Sequence, residues 1–357
     1  MRVVTTSALA ALIALVGCVS YTDSPSSPVP AASLDSGGQS LHDLADYDRQ
    51  EVPFKNHVLD EEESSLYIVR HIRFPSYGDN GQDDNLVTGR YYESKRPGKK
   101  PLVIIVPIPA GHSYPADKMA AYLSSHSVGE VNIFKLEIAR DIIDWNGMAA
   151  AANEAAFMER LDKSAEREWT TVIDIRRTLD WAEARPEIDA QRIGLMGFSH
   201  GGIVAAGVAV QEPRLAATVL VMAGALLHQP MVRCSLARSE GMRSKALSEF
   251  GWTEEELEAR IEAEFSYFEP ANFPGRVDPS KVLIVEAAKD DCIPESGREA
   301  LWETMGRPER ILLNYRHKQA FLSMTPLRLL WLRHRIWEFL QRSFEIEPQS
   351  VAVLQKR

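Results

Sequence analysis

Short continuous apolar runs alternate along most of the chain with longer stretches that carry apolar residues at helical spacing. The short runs predict strands buried on both faces, at residues 102–106, 131–136, 192–196, 215–223, 281–287 and 310–315. The longer stretches predict helices at residues 117–126, 149–161, 168–184, 201–210, 296–305 and 327–344. This alternation predicts an α/β fold with a mainly parallel central sheet and helices on both faces.

A different pattern precedes the first of these strands. Residues 66–74 and 86–92 are rich in β-branched and aromatic side chains, and the connector 77–85 consists of turn-forming residues. The pattern predicts a β-hairpin. The acidic connector lacks the spacing and the closing glutamate of an EF-hand, so we interpret it as a solvated turn and not as a calcium loop.

About fifty residues separate the predicted strand that ends near residue 225 from the one that begins at residue 281. They include a helical stretch at residues 253–265, where Thr253 is placed to cap the helix and glutamates fill its first turn. Long insertions next to a site are often lids. We therefore predict that residues 226–278 form a small helical cap, with a plain surface helix as the alternative.

The composition is that of a globular protein. The chain has 357 residues, of which 45% are hydrophobic and 25% charged, and its formal net charge is −10. No block of lysine or arginine stands out, so nucleic acid is not expected as a partner. We assign the folded domain to residues 51–345 and a C-terminal tail to residues 346–357.

The first residues predict where in the cell the protein is located. Arg2 precedes a short apolar run at residues 8–16, which has the length of a signal-peptide core and is too short to span a membrane. The sequence Leu15-Val-Gly-Cys18 resembles the lipobox of bacterial lipoproteins, which implies a signal peptide at residues 1–17 and lipidation of Cys18. The following Val19, in place of aspartate, then favours the outer membrane of the cell envelope. An ordinary secretory signal is the alternative.

Residues 18–50 follow this signal and are predicted to be a flexible tether. They are rich in serine, proline, alanine and glycine, and such a segment buries too little apolar surface to offset the entropy of ordering it. Two further cysteines, Cys234 and Cys292, lie in the folded part, and the sequence leaves open whether they form a disulfide. Neither has the spacing of a metal ligand, and no metal or other cofactor is expected.

The sequence Gly197-Phe-Ser-His-Gly201 carries the clearest chemical signal. It fits the pattern G-x-S-x-G, follows a predicted strand and precedes a helix rich in small residues. A sharp strand-to-helix turn of this kind exposes its serine as a nucleophile. Ser199 is therefore the candidate nucleophile, and a glycine-rich turn without chemistry is the alternative.

Serine needs a base to accept its proton and an acid to orient that base. Two aspartates, Asp290 and Asp291, follow the strand at residues 281–287 and are the candidates for this acid. His317 lies after the last predicted strand and before the closing helix, which makes it the candidate base. His200 is adjacent to the serine, but we expect its side chain to turn away and pack.

In these motifs the chain resembles the α/β-hydrolase superfamily of serine hydrolases, over about residues 65–345. The chain order Ser, Asp, His matches that superfamily, and the paired glycines at 201 and 202 are similar to the dienelactone-hydrolase and acyl-peptidase-like branches. The resemblance favours Asp290 over Asp291, because the hydrolase pattern usually has its aspartate four residues before a proline, here Pro294. The resemblance implies an oxyanion hole with a backbone donor at His200. The second donor is expected in the loop after residue 106, where Pro107 and Pro109 lack an N–H and only Ile108 and Ala110 remain.

These features together predict a hydrolase of small carboxylic esters that acts through an acyl-enzyme and is tethered to the membrane by its lipid anchor. An amidase or an acyltransferase that uses the same residues is an alternative, because a catalytic triad does not determine which substrate is cleaved. A non-catalytic lipoprotein with a fortuitous triad is the remaining alternative.

Overall fold

The computed structural model describes residues 21–27, 56–76, 85–235, 237–323 and 330–347. Ten strands form one sheet in the order β1-β10-β9-β8-β7-β5-β6-β4-β3-β2. The strands are β1 (Tyr21–Ser24), β2 (His57–Glu63), β3 (Tyr67–Pro75), β4 (Leu86–Ser94), β5 (Lys100–Val106), β6 (Asn132–Leu136), β7 (Ile188–Phe198), β8 (Leu215–Val221), β9 (Val282–Ala287) and β10 (Glu309–Leu313).

The centre of the sheet is parallel and its margins are antiparallel. Strands β6, β5, β7, β8, β9 and β10 pair in parallel, whereas β4, β3 and β2 add antiparallel strands at one edge and β1 at the other. The carboxyl ends of the six parallel strands therefore lie on one rim, where ligand sites of open α/β sheets are found.

The helices connect these strands and cover the sheet. They are α1 (Tyr114–His126), α2 (Trp145–Ala149), α3 (Glu154–Glu183), α4 (His200–Ala209), α5 (His228–Arg233), α6 (Ala237–Ser244), α7 (Glu254–Phe265), α8 (Glu295–Thr304), α9 (His317–Ser323) and α10 (Leu330–Ser343). Among the described residues, no helix is both long and apolar enough to cross a membrane.

Strand β5 shows why the sheet is covered on both faces. Leu102 and Ile104 point into one apolar cluster, together with side chains of α3 and α4. Val103 and Ile105, one position along, point into a second cluster built from α1 and α10. Because successive side chains of a strand face opposite ways, a continuous apolar run needs such a core on each side. The predicted α/β architecture is thus confirmed.

Two helices predicted at residues 149–161 and 168–184 are wrong as separate elements. Residues 154–183 form the single helix α3. Asn153 caps its N-terminus, where the Asn153 side chain accepts a hydrogen bond from the N–H of Ala156. The intervening residues 162–167 contain neither proline nor glycine, and charged side chains such as Lys163 and Glu166 are exposed there. Ser164 and Ala165 are buried in this stretch, so the buried face of the helix continues through small residues that give no apolar signal.

The predicted hairpin is confirmed as β3 and β4, which pair from Tyr67 opposite Ser94 to Pro75 opposite Leu86. Its connector at residues 77–84 lies outside the described residues. Strand β2 was not predicted, because a run ending in four acidic residues has poor strand propensity. Its carboxylates face cations of β3; for example, Glu61 forms an ion pair with Arg70 at 2.6 Å.

The predicted tether at residues 18–50 needs a correction at Tyr21–Ser24. This segment forms β1, an edge strand antiparallel to β10. The ring of Tyr21 stacks on Trp331 with a centroid distance of 4.3 Å, and Asp23 binds Arg335 at 2.6 Å. These contacts offset the entropy of ordering the segment, which composition alone does not reveal.

The rest of the N-terminal assignment lies outside the described residues. This applies to the signal peptide at residues 1–17, to Cys18 and to residues 28–50 of the tether. At the other end, Ile346 packs against the second core cluster. Residues 348–357 of the predicted tail also lie outside the described residues.

The insertion predicted at residues 226–278 consists of helices α5, α6 and α7 with short helical turns, placed between β8 and β9. The helix predicted at residues 253–265 is confirmed. The Thr253 hydroxyl accepts from the N–H of Glu256, whose carboxylate accepts from the N–H of Thr253, so the pair forms a capping box.

Candidate active site

Ser199 lies at the sharp turn between β7 and α4. Its backbone has φ 50° and ψ −121°, a conformation that residues other than glycine rarely adopt. The N–H of Ser199 donates to the carbonyl of Val221 at 2.8 Å, which fixes the turn against β8. The surrounding sheet therefore holds the residue in a strained conformation, as is found at functional sites.

Two glycines allow this turn. A Cβ added to Gly197 would lie 2.3 Å from the carbonyl oxygen of Gly201, and one added to Gly201 would lie 2.2 Å from that of Pro107. Neither position has room for a side chain. The glycines of the G-x-S-x-G pattern are thus required by the close approach of β7, α4 and the loop after β5.

His317 lies beside the serine. Its Nε2 is 2.9 Å from the Ser199 hydroxyl, across 118 positions of sequence. The residue begins α9 directly after β10, is only 3% exposed and packs edge-on against Phe321. The fold therefore holds the imidazole at hydrogen-bonding distance from the hydroxyl.

Asp290 lies on the far side of the imidazole. Its Oδ2 is 2.8 Å from Nδ1 of His317, and its Oδ1 accepts hydrogen bonds from the N–H groups of Cys292 and Ile293, each at 2.8 Å. Asp291 instead accepts from the backbone N–H of His317 and contacts the exposed Arg316. Of the two aspartates that the sequence offered, the structure brings Asp290 to the imidazole ring.

The backbone around the serine offers donors for an oxyanion. The N–H of His200 belongs to the first turn of α4, where N–H groups have no acceptor within the helix. Ile108 lines the same cavity as Ser199. Ala110 does not serve as the second donor, because its φ of 65° turns the loop so that its N–H donates to the carbonyl of Arg140 at 3.2 Å. Ile108 pairs with His112 across this loop, and its role as the second donor stays a prediction.

A cavity of about 120 Å³ opens next to Ser199. It is mostly apolar, and the cap contributes one of its walls through Leu227, Pro230 and Met231. The core supplies the opposite wall from Ile108, Ile143, Trp145, Ile203 and Ile293.

Charged residues mark the edge of this cavity. Asp141 of the core and Arg238 of cap helix α6 both line it and form an ion pair at 3.0 Å. Arg238 also contacts the imidazole of His112, which is exposed. His112 therefore lies on the outer side of this pair.

Cys234 and Cys292, whose pairing the sequence left open, form a disulfide that lines the cavity. It joins the end of α5 to the loop that carries Asp290. In the part of the chain that the structure describes, no group of three or more His, Cys, Asp or Glu side chains is arranged to hold a metal ion.

The side chain of His200 departs from the expectation. It does not simply pack, because its Nε2 lies 2.7 Å from Oε2 of Glu168, a fully buried carboxylate on α3. The residue His200 is also among those that line the cavity. Burial lowers the pKa of His200, but the negative charges of Glu168 and Asp141 outweigh it and raise the pKa above its usual value.

Glu168 was not singled out from the sequence. The available signal was its position, since it shares a helical face with the buried Val172, Ile175 and Leu179. A carboxylate on an apolar face requires a buried partner.

Two family models match parts of the chain. The model of the dienelactone hydrolase family matches residues 87–233, and that of the X-Pro dipeptidyl-peptidase (S15) family matches residues 163–311. Both matches include the turn at Ser199. Among curated proteins, no relative matches the chain.

Solved structures share the fold at low sequence identity. An acetyl xylan esterase from Thermoanaerobacterium is 17% identical, with a TM-score of 0.60 over 85% of this chain and 92% of its own. Another, from Paenibacillus, is 17% identical, with a TM-score of 0.58 over 84% and 91% of the two chains. An acylaminoacyl peptidase from Pyrococcus horikoshii is 16% identical, with a TM-score of 0.50 over 82% of this chain and 45% of its own.

The fold, the serine turn and the two family matches lead to the same assignment. The chain has the α/β-hydrolase fold, and parts of it that include Ser199 match the models of two families of hydrolytic enzymes.

Proposed function

We propose that the protein hydrolyses small carboxylic esters with Ser199, His317 and Asp290 as its catalytic triad. One observation carries the proposal: a continuous hydrogen-bonded chain joins the Ser199 hydroxyl to Nε2 of His317 at 2.9 Å, and Nδ1 of the same ring to Asp290 at 2.8 Å. This is the arrangement that makes a serine hydroxyl nucleophilic.

Each group then has a defined role. Ser199 Oγ attacks the ester carbonyl while its proton passes to Nε2 of His317, and Asp290 stabilises the resulting imidazolium. The N–H groups of His200 and Ile108 bind the oxyanion of the tetrahedral intermediate. The intermediate collapses when His317 gives the proton to the departing alkoxide, which leaves the acyl group on Ser199. Water, deprotonated by His317, then releases the carboxylic acid and restores the hydroxyl.

The cavity supports a short acyl group. Its volume of about 120 Å³ is small and its walls are largely apolar, so a long acyl chain has little room beside Ser199. The two acetyl xylan esterases that share the fold are named for esters of the shortest common acyl group. We therefore propose acetyl and similarly short acyl esters as substrates.

The first experiment compares wild type with Ser199→Ala and, as a matched control, with Ser125→Ala at an exposed position of α1. A fluorophosphonate probe should label wild type and the control but not Ser199→Ala. On p-nitrophenyl esters of increasing acyl length, kcat/KM should be greatest for the shortest chains. Labelling that persists in Ser199→Ala, or a folded wild-type protein that neither reacts with the probe nor cleaves any ester, would refute the proposed triad.

An amidase is the second candidate, favoured by the match to the X-Pro dipeptidyl-peptidase family at residues 163–311. Aminoacyl p-nitroanilides, assayed beside the esters, distinguish the two. A higher kcat/KM for the amides would assign the triad to peptide substrates.

We also propose that the protein is anchored in the bacterial cell envelope through Cys18, on the strength of the Leu15-Val-Gly-Cys18 sequence. Incorporation of labelled palmitate should occur in wild type and be absent from Cys18→Ala. Equal labelling of both proteins would exclude lipidation at this residue.

A further inference from the structure

A buried acid-base pair lies behind the candidate oxyanion site and has no part in the triad. Glu168 is 0% exposed and its Oε2 is 2.7 Å from Nε2 of His200, whose side chain is 17% exposed. His200 is also among the residues that line the cavity. The second oxygen of Glu168, Oε1, is buried and has no hydrogen-bond partner among the described residues. A carboxylate held so far from water is costly unless it faces a cation.

His200 is well placed to be that cation. It directly follows Ser199 and is among the residues that line the cavity, so the residue with the proposed oxyanion N–H also carries the imidazole that meets Glu168. Glu168 approaches it from α3 and Asp141 from the loop after β6, and the negative charges of both act on the ring.

The other titratable groups around the pair do not take the place of Glu168. Arg238 of cap helix α6 is bound to Asp141, which leaves that carboxylate partly neutralised. Tyr267 lies within the field of Glu168, which adds to burial in raising the pKa of the phenol, so it stays neutral. His317 is directed to Asp290 and Ser199. Glu168 is therefore the carboxylate in direct contact with His200.

We propose that Glu168 is a positioning residue for ester hydrolysis: by direct contact it keeps the imidazole of His200 positively charged beside the oxyanion site. The proposal rests on the function proposed above. Negative charge develops on the carbonyl oxygen in the transition state, and a fixed positive charge in a poorly solvated site stabilises it more than it stabilises the neutral ester. The pair thus favours kcat with little effect on substrate binding.

The proposal predicts a particular pH dependence. His317 must be neutral to act as a base, which gives the usual decline of activity in acid. His200 must be charged, which adds a decline in alkali where it loses its proton. Glu168 moves that alkaline decline upward, because it raises the pKa of His200.

The experiment measures kcat and KM against pH for wild type, Glu168→Gln and His200→Gln. Glu166→Gln, the same change at an exposed position of the same helix, is the control. In Glu168→Gln the alkaline decline of kcat should move toward neutral pH, because the pKa of His200 falls when the neighbouring negative charge is removed. In His200→Gln this decline should disappear and kcat should fall about tenfold with KM nearly unchanged, as for a transition-state interaction.

His200→Gln keeps the backbone N–H and alters a partly exposed side chain, so it provides a test even if Glu168→Gln does not fold. Labelling of Ser199 by the fluorophosphonate reports the triad separately from these profiles. If the variants are labelled and fold like wild type, but their pH profiles of kcat coincide with the wild-type profile, the proposed positioning role is wrong and the proposed triad is unaffected. If wild type is not labelled at all, the proposed function fails first.

Discussion

Asp290 and Asp291 are adjacent in sequence and differ entirely in their surroundings. The Asp290 side chain is 1% exposed and meets an imidazole and two backbone N–H groups, whereas that of Asp291 is 35% exposed and contacts Arg316. Sequence reasoning reached Asp290 from its distance to a proline and kept Asp291 as an alternative. The backbone turn after β9 decides which carboxylate enters the site.

The two aspartates form a matched pair for mutagenesis. Asp290→Asn should lower kcat by about a thousandfold or more, because the imidazole loses the group that fixes its tautomer and stabilises its charge. Asp291→Asn should change kcat by less than about threefold, since an exposed ion pair contributes little. Steady-state kinetics on a short p-nitrophenyl ester measures both. Equal losses in the two variants would contradict the assignment of the acid.

At the scale of elements, helix α3 covers one face of the sheet and also binds other elements through buried or partly buried carboxylates. Besides Glu168 it carries Asp174, a partly buried carboxylate that accepts hydrogen bonds from Ser76 at 2.5 Å and Asn85 at 2.9 Å. These two residues lie at the ends of β3 and β4, and the N–H of Ser76 also donates to the carbonyl of Asn85. Asp174 thus joins the end of the hairpin to α3.

This contact predicts a dependence of stability on pH. Burial raises the pKa of Asp174 to about 7, although the two hydrogen bonds oppose it. The folded protein then binds this proton more tightly than the unfolded chain, so the contribution of Asp174 to stability is greatest at low pH and declines between about pH 4 and pH 7.

Asp174→Asn keeps an oxygen acceptor for both donors and removes the titration. The free energy of unfolding of the variant minus that of wild type should be larger at pH 8 than at pH 5, by roughly 1–2 kcal/mol. This is less than the full pKa shift would give, because the carboxyl is partly exposed. Urea denaturation at the two pH values measures the difference. A stability difference between variant and wild type that is the same at pH 5 and pH 8 would show that Asp174 does not titrate in this way.

At the scale of the whole molecule, the cap and the sheet are joined by the disulfide between Cys234 and Cys292, 58 positions apart. Reduction or the double change Cys234→Ala/Cys292→Ala should lower the free energy of unfolding by about 3–4 kcal/mol, because it frees a long loop in the unfolded chain. Urea denaturation with and without dithiothreitol measures this. The reductant should destabilise wild type and leave the double variant unchanged, and an effect on both would point to another cause.

Much of the molecule follows from local sequence. Continuous apolar runs are explained only by strands buried on both faces, so the parallel centre of the sheet was predictable. The G-x-S-x-G pattern between a strand and a helix identified Ser199, and chain order then led to His317. The helical insertion between β8 and β9 was recognised from its length and from the cap at Thr253.

Other features depend on partners that are distant in sequence. Strands β1 and β2 are polar or acidic and are held by pairing with β10 and β3, so their own residues gave no strand signal. The alternative of Ala110 as an oxyanion donor was excluded by a hydrogen bond to Arg140, and the side chain of His200 was placed by Glu168.

The sequence by itself determined the fold class and the candidate nucleophile, because hydrophobic periodicity and the glycines of a tight turn are local constraints. Only the tertiary structure decided which aspartate orients His317, whether the cysteines join, and what His200 contacts. Each of these depends on the distance between groups far apart in the chain, and that distance is set by the packing of whole elements.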